Sequence, residues 1–135
     1  IADTALTLWQ NECAESYCCF EHFMIESRRG AGWHQFSGLS SPIVQWFSAY
    51  YRPGTLTTGF DAFVRHTDWA PDNSALDATL DFTAAGRSTV LAVLQPGPKA
   101  VTASVPCTVT TRHDGLLELT FALDAPCTVT ISIHS

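Results

Sequence analysis

A short segment of the chain gathers acidic, basic and aromatic side chains of the types that bind ligands and transfer protons. Residues 26–38 read "ESRRGAGWHQFSG", and Glu21 lies just before them. Glu21 and Glu26 are candidates for a general base, because a positioned carboxylate can take a proton from an attacking water. An arginine pair can bind phosphate or carboxylate through charge-assisted hydrogen bonds. A tryptophan can stack on the C–H face of a pyranose, and a histidine and a glutamine can bind its hydroxyls. The candidate binding residues are therefore Arg28, Arg29, Trp33, His34 and Gln35.

The same side chains also have an ordinary structural interpretation. An arginine pair is commonly solvated, a lone tryptophan commonly fills a packing gap, and a lone glutamate is commonly a surface charge. Gly30, Gly32 and Gly38 predict that residues 27–38 form a loop. This loop leads into a predicted helix, whose free N–H groups attract anions. The segment is thus either a sugar-binding and anion-binding loop or a solvated turn.

The elements that position this segment follow from two hydrophobic periods, which change near Pro53. Before it, Leu6, Trp9, Cys13 and Tyr17 have helical spacing, and a second helix is predicted over 40–51, with Ser40 as its cap and Pro42 in its first turn. After it, apolar residues alternate with polar ones, as in Leu117, Leu119, Phe121 and Leu123. The predicted class is α+β, with a short N-terminal helical segment (1–53) followed by an antiparallel β-sandwich (54–135) of six or seven strands.

Further signals refine the predicted sandwich. The apolar run at 90–94 predicts a central strand, and Asp114-Gly115 predicts a hairpin turn. The string "PCTVT" occurs at 106–110 and at 126–130. A meander of strands 105–111, 116–123 and 126–133 would separate Cys107 from Cys127 by twice the strand spacing, which is too far for a disulfide.

Composition excludes several classes of function. The chain has 135 residues, 46% of them hydrophobic, and a formal net charge of −6. A negative chain does not favour nucleic acid or an anionic membrane as a partner, and no apolar run is long enough for a membrane span. Five cysteines, an odd number, predict a reducing, cytoplasmic location. Cys18, Cys19 and His22 lack a second ligand pair, so we expect neither a metal nor a cofactor.

The order of features in residues 1–52 resembles a known architecture. "EHF" at 21–23 is followed by "RRGAGWHQF" at 28–36, by "SGLSS" at 37–41 and then by an amphipathic helix. This order resembles the last hairpin of the six-hairpin α/α toroid of trehalase-like and glucoamylase-like glycoside hydrolases. "GAGW" at 30–33 also resembles the phosphate-side turn of cellobiose phosphorylases, which share the toroid.

The resemblance implies a carbohydrate substrate and a role for Glu21. Glu21 matches the general base of inverting hydrolases, which activates water on one face of the sugar. In a phosphorylase, inorganic phosphate replaces the water, and residues 28–35 would hold it. The toroid needs about a dozen helices, and its general acid lies on an earlier helix. The chain is therefore expected to be a C-terminal fragment that is inactive alone and that packs on the missing helical domain or self-associates.

Two other functions remain open. The β-sandwich can be a carbohydrate-binding module with the helices as a leader, or it can have a structural role in bracing a toroid or a partner subunit. Exposed aromatic residues on one sheet face would favour the binding module. Trp69 is the only tryptophan after Pro53, so the sequence offers no obvious aromatic platform.

Overall fold

A computed structural model describes residues 2–16, 20–34 and 37–135. It confirms the α+β class, with helices in the N-terminal segment and an antiparallel β-sandwich after it. The chain forms two compact units, Ile1–Ser48 and Ala49–Ser135. The boundary predicted after residue 53 lies just inside the second unit.

The first unit begins with helix α1 (Ala2–Ser16), and a two-stranded antiparallel sheet of β1 (Phe20–Phe23) and β2 (Gly30–His34) follows. Helix α2 (Ser37–Tyr51) starts in this unit and ends in the second. It begins before Ser40, the predicted cap, so that Pro42 lies inside the helix and not in its first turn. The best-buried apolar side chains that the structure describes in this unit are Leu6, Phe20 and Ile43.

The prediction of a loop over 27–38 is wrong, because strand β2 occupies Gly30–His34. Glycine does not break the strand here, since each of two glycines has a packing reason. A Cβ at Gly30 would collide with the ring of Phe20. Gly32 has a φ of +82°, which an L side chain rarely adopts. The turn of this hairpin lies earlier, at residues 24–29.

The second unit contains two four-stranded sheets, which together have eight strands instead of the six or seven predicted. One sheet has the order β3 (Thr55–Thr57), β6 (Gly86–Val93), β9 (Leu116–Leu123) and β8 (Cys107–His113). The other has the order β4 (Ala62–Trp69), β5 (Leu76–Phe82), β10 (Cys127–His134) and β7 (Ala100–Ala103). Within each sheet, neighbouring strands are antiparallel.

The alternation predicted from sequence fills the core of this unit. Along β5, every second residue is buried, from Leu76 to Phe82. The rings of Phe82 and Phe121 lie 5.3 Å apart across the core. Strand β6 lies between β3 and β9, which confirms that the apolar run at 90–94 belongs to an interior strand. Burial of these alternating side chains is the main source of stability for such a sandwich.

The predicted meander of the last three strands is wrong. Strands β8 and β9 pair with each other, but β10 belongs to the other sheet, where it lies between β5 and β7. Cys107 and Cys127 are free thiols, as predicted, although they are on strands of different sheets and not on two strands of one meander. Burial raises the pKa of the Cys107 thiol, which disfavours its reactive thiolate form.

The last residue of β8, beside the turn between β8 and β9, contacts the end of helix α2. Asp114 and Gly115 form the turn, as predicted, and Gly115 has a φ of +90°. The ring of His113 stacks on that of Tyr51, with centroids 4.9 Å apart, and its Nε2 lies 2.6 Å from the carbonyl oxygen of Tyr50. These contacts connect the last turn of α2 to the β8–β9 hairpin.

Candidate functional site

The hairpin of β1 and β2 contains a β-bulge opposite Glu21. Phe20 pairs with His34 and His22 pairs with Ala31, so that Glu21 alone faces two residues, Gly32 and Trp33. A bulge of this kind bends its strand and changes the direction of a side chain, and bulges are frequent beside active sites. The register therefore places the predicted base and the predicted sugar-stacking tryptophan at the same point of the sheet.

Gly32 makes this arrangement possible. Its φ of +82° lies in the left-handed region, which glycine adopts without strain. A Cβ built on Gly32 would lie 2.7 Å from Oε2 of Glu21 and 2.9 Å from its Cβ. The Glu21 side chain thus packs directly over the backbone of the bulge, where a larger residue would displace it.

The side chains at the bulge are open to solvent. The indole of Trp33 is 75% exposed, and Glu21 is also exposed. Trp33 is therefore not a packing plug, which was the structural alternative for it. An exposed carboxylate and an exposed aromatic ring on opposed strand positions are side chains that can bind a sugar, with the ring on its C–H face and the carboxylate on a hydroxyl or on a water.

Arg29, by contrast, is bound within the protein. Its Nε and Nη2 donate to the two carboxylate oxygens of Glu12 at 2.9 and 3.2 Å, and its Nη1 donates to Glu15 Oε2 at 2.8 Å. The N–H of Gly30 donates to Glu12 Oε2 at 2.9 Å. Glu12 therefore joins helix α1 to the start of strand β2. A phosphate role for Arg29 stays a prediction, but its guanidinium already has two carboxylate partners.

The Glu12 carboxylate is the most buried charge that the structure describes in the first unit, with a side chain only 4% exposed. The hydrogen bond from Gly30, followed by the bonds and the charge of Arg29, holds the pKa of Glu12 below its ordinary value. The same contacts raise the pKa of Arg29. Both groups are thus charged at neutral pH, and each is an ion-pair and hydrogen-bond partner of the other.

Arg28 differs from its neighbour in both backbone and surroundings. Its φ is +57°, and its N–H donates to Met24 O at 2.9 Å to close the turn. Its guanidinium makes no hydrogen bond or ion pair with any residue that the structure describes. Arg28 lines a groove between α1 and the turn, and neither Glu21 nor Trp33 lines that groove. The residues predicted as one site thus belong to two places on the first unit.

The other predicted site residues are only partly placed. The backbone of His34 pairs with Phe20 at the end of β2, but its side chain lies outside the described residues, as does all of Gln35. Cys18 and Cys19 also lie outside them. Glu26, the second candidate base, is in the turn at residues 24–29, away from the bulge.

Sequence reasoning missed the role of Glu12. Its carboxylate lies on the buried side of α1, where the helical pattern of Leu6, Trp9 and Cys13 predicted only apolar contacts. The sequence holds a weak signal for an ion pair here. Glu12 and Glu15 are neighbours on one face of the helix, and two arginines follow in the turn of the hairpin. That signal does not tell which arginine pairs with them.

Comparisons with known proteins do not identify a family: no family model matches the chain, and neither the curated proteins nor the solved structures contain a match. Within residues 2–16, 20–34 and 37–135, no group of three or more His, Cys, Asp or Glu side chains is arranged to hold a metal ion. Over the same part of the chain, neither helix has the length and apolar character needed to cross a bilayer.

Proposed function

We propose that the chain is the C-terminal part of a carbohydrate-active enzyme that cleaves glycosidic bonds, by inverting hydrolysis or by phosphorolysis. Glu21 acts as the general base, and Trp33 stacks on the sugar ring at which that base acts. The general acid is supplied by a part of the enzyme outside these 135 residues. The substrate is a carbohydrate, with inorganic phosphate as the second substrate if the enzyme is a phosphorylase.

The observation that supports this function is the bulge, where exposed Glu21 on β1 lies opposite Gly32 and exposed Trp33 on β2 in the register of the sheet. A general base needs a fixed position more than it needs burial, because its oxygen must lie within hydrogen-bond distance of the attacking water. Gly32 allows that position, because a Cβ at residue 32 would lie 2.7 Å from Oε2 of Glu21.

The mechanism follows from inverting catalysis. Glu21 takes the proton of a water on one face of the sugar, while the acid protonates the leaving oxygen on the other face. In the phosphorolytic form, inorganic phosphate attacks in place of the water. Arg28 is the arginine of the predicted pair with a free guanidinium among the described contacts, but the groove that it lines does not contain Glu21.

The test is a substitution in the intact parent enzyme. Glu21→Gln keeps the shape of the side chain and removes the base, so turnover should fall by about 10²–10⁴-fold with little change in substrate binding. Glu26→Gln is the matched control, because it makes the same change in the turn of the hairpin. Sugar release is measured with and without inorganic phosphate, which separates the two nucleophiles. Full turnover in Glu21→Gln would remove Glu21 from the chemistry.

A second candidate function gains support from two phenylalanines. Phe60 is fully exposed and Phe63 is 61% exposed, and Phe63 faces Asp81 across strands β4 and β5. These rings give the sandwich the exposed aromatic surface that the sequence pattern of tryptophans did not suggest, which favours a carbohydrate-binding module. Retention of the chain on a polysaccharide gel that is lost in Phe63→Ala, and kept in Glu21→Gln, would select this function over the first.

A further inference from the structure

The first unit contains a groove that none of the functions above uses. It has a volume of about 800 Å³ and runs between helix α1 and the turn of the β1–β2 hairpin. This volume is within the usual range for sites that bind small molecules. Leu8, Phe23 and Met24 supply apolar surface, and Thr4, Asn11 and Ser27 supply hydroxyl and amide groups.

Two carboxylates, Glu12 and Glu15, and two guanidiniums, Arg28 and Arg29, line this groove, so its formal charges sum to zero. Glu12 and Glu15 both line the groove, but both carboxylates are bound to Arg29. Arg28 is exposed, and its guanidinium has no hydrogen bond or ion pair with the part of the chain that the structure describes. The groove therefore offers an available guanidinium, whose planar donors match the oxygens of a carboxylate or a phosphate.

The backbone at Arg28 strengthens this argument. Its φ of +57° is in the left-handed region, where glycine or asparagine is the usual residue. The turn is held by bonds between Met24 and residues 28 and 29, and by a bond of 3.2 Å from Arg29 N to Ser27 Oγ. Glycine at position 28 would satisfy the same turn at a lower conformational cost. The arginine thus costs stability, and a side-chain function accounts for that cost better than the turn does.

We infer that this groove binds a small anionic sugar, either a sugar acid or a sugar phosphate. Arg28 binds the carboxylate or the phosphate, the hydroxyl and amide groups bind the sugar hydroxyls, and the apolar side chains contact its C–H face. The inference is independent of the proposed catalytic role of Glu21, because Glu21 does not line this groove.

The experiment titrates the 135-residue chain with glucuronate, glucose 6-phosphate, neutral glucose and inorganic phosphate, and follows binding by calorimetry and by backbone amide shifts in NMR. Both anionic sugars should bind, and should shift the amides of residues 24–29 and of α1. Glucose and inorganic phosphate should each bind at least tenfold more weakly, since each lacks one half of the ligand. Binding of only one of the two anionic sugars would identify the anion that Arg28 prefers and would support the inference.

Two substitutions complete the test. Arg28→Gly should weaken binding of the anionic sugars at least tenfold while the chain melts at the same temperature or higher, because the turn loses its strain. Arg52→Gly is the matched control, since it removes an exposed arginine from the second unit. Glu21→Gln should leave this binding unchanged even though it abolishes the proposed catalysis, so the two proposals fail separately. The inference would be overturned if neither anionic sugar bound at millimolar concentration, or if Arg28→Gly kept full binding. It would also be overturned if glucose bound as tightly as glucuronate, or if inorganic phosphate bound as tightly as glucose 6-phosphate.

Discussion

The two compact units differ in what fills their interiors. In the second unit, the buried side chains are almost all apolar and come from both sheets; they include Phe82, Phe121, Leu80, Leu119 and Ile133. In the first unit, a buried carboxylate, Glu12, makes the main described link between helix and hairpin. An apolar core carries no group that titrates, whereas a charged link depends on pH and is screened by salt. We therefore expect the same kinds of perturbation to act differently on the two units.

The largest effect should come from the core of the sandwich. Phe121 is completely buried and packs against Phe82, so Phe121→Ala should reduce the free energy of unfolding by about 3–5 kcal/mol. Phe63→Ala removes the same ring from an exposed position and should change stability by less than about 0.5 kcal/mol. Chemical denaturation of the two variants measures the difference. Similar losses in both would mean that burial does not determine the stability of this unit.

A smaller effect is expected at the turn between β8 and β9. Gly115 and Gly97 both have positive φ, so alanine is strained at either position. A Cβ at Gly115 would also lie 2.6 Å from the carbonyl oxygen of Leu94, while a Cβ at Gly97 meets nothing within 4 Å. Gly115→Ala should therefore cost about 1–3 kcal/mol more than Gly97→Ala in thermal or denaturant unfolding. Equal costs would show that the backbone at Leu94 shifts to accommodate the added Cβ at no measurable cost in free energy.

The sandwich was largely predictable because each sheet buries one face. Apolar and polar residues therefore alternate along its strands, and this alternation is visible in the sequence. Strand β4 was missed for a physical reason: it is an edge strand with a bulge between Val64 and His66, and most of its residues are exposed on both faces. The placement of β10 was also missed. A short connection after β9 is compatible with either sheet, and the alternation of β10 is the same in both.

The candidate site was less predictable, because its parts depend on contacts between residues distant in sequence. Arg28 and Arg29 look alike in the sequence, and only the approach of Glu12, 17 residues before Arg29, separates a structural arginine from an available one. The glycines predicted a loop, but Gly30 and Gly32 belong to a strand, where they fit against Phe20 and Glu21. Glu21 lies opposite Trp33 because of a β-bulge, and no local sequence pattern predicts that bulge.

The charged link of the first unit should respond to a change that the sandwich would tolerate. Glu12→Gln keeps the shape of the side chain but removes the charge that Arg29 and Gly30 contact. We expect faster hydrogen exchange at the Gly30 amide and in the β1–β2 hairpin, with unchanged exchange in β5 and β9, because opening of the first unit is local. Glu15→Gln is the control: its carboxylate is 62% exposed and makes one bond to Arg29, so its effect should be slight. An equal response to both substitutions would contradict a special role for the buried carboxylate.

The smallest effect, and the one that separates the two units most cleanly, should appear on acidification. The pKa of Glu12 is lowered in the folded protein, chiefly by the hydrogen bond from Gly30, so its stabilisation is complete above the ordinary value of 4.5. It is lost as the pH falls through the lower, folded value, because the protonated acid no longer attracts Arg29. Asp81 has a lowered pKa too, chiefly through the hydroxyl of Thr128 and then through Arg65, but it is on the surface of a sandwich whose core carries no charge.

In an NMR titration from pH 7 to pH 3, the amide signals of the hairpin should broaden or move first, while those of β5, β6 and β9 stay in place. Glu12→Gln should show the altered hairpin signals already at pH 7 and little further change below pH 4.5. If the sandwich signals were lost at the same pH as those of the hairpin, the contrast between an apolar unit and a charge-linked unit would be wrong.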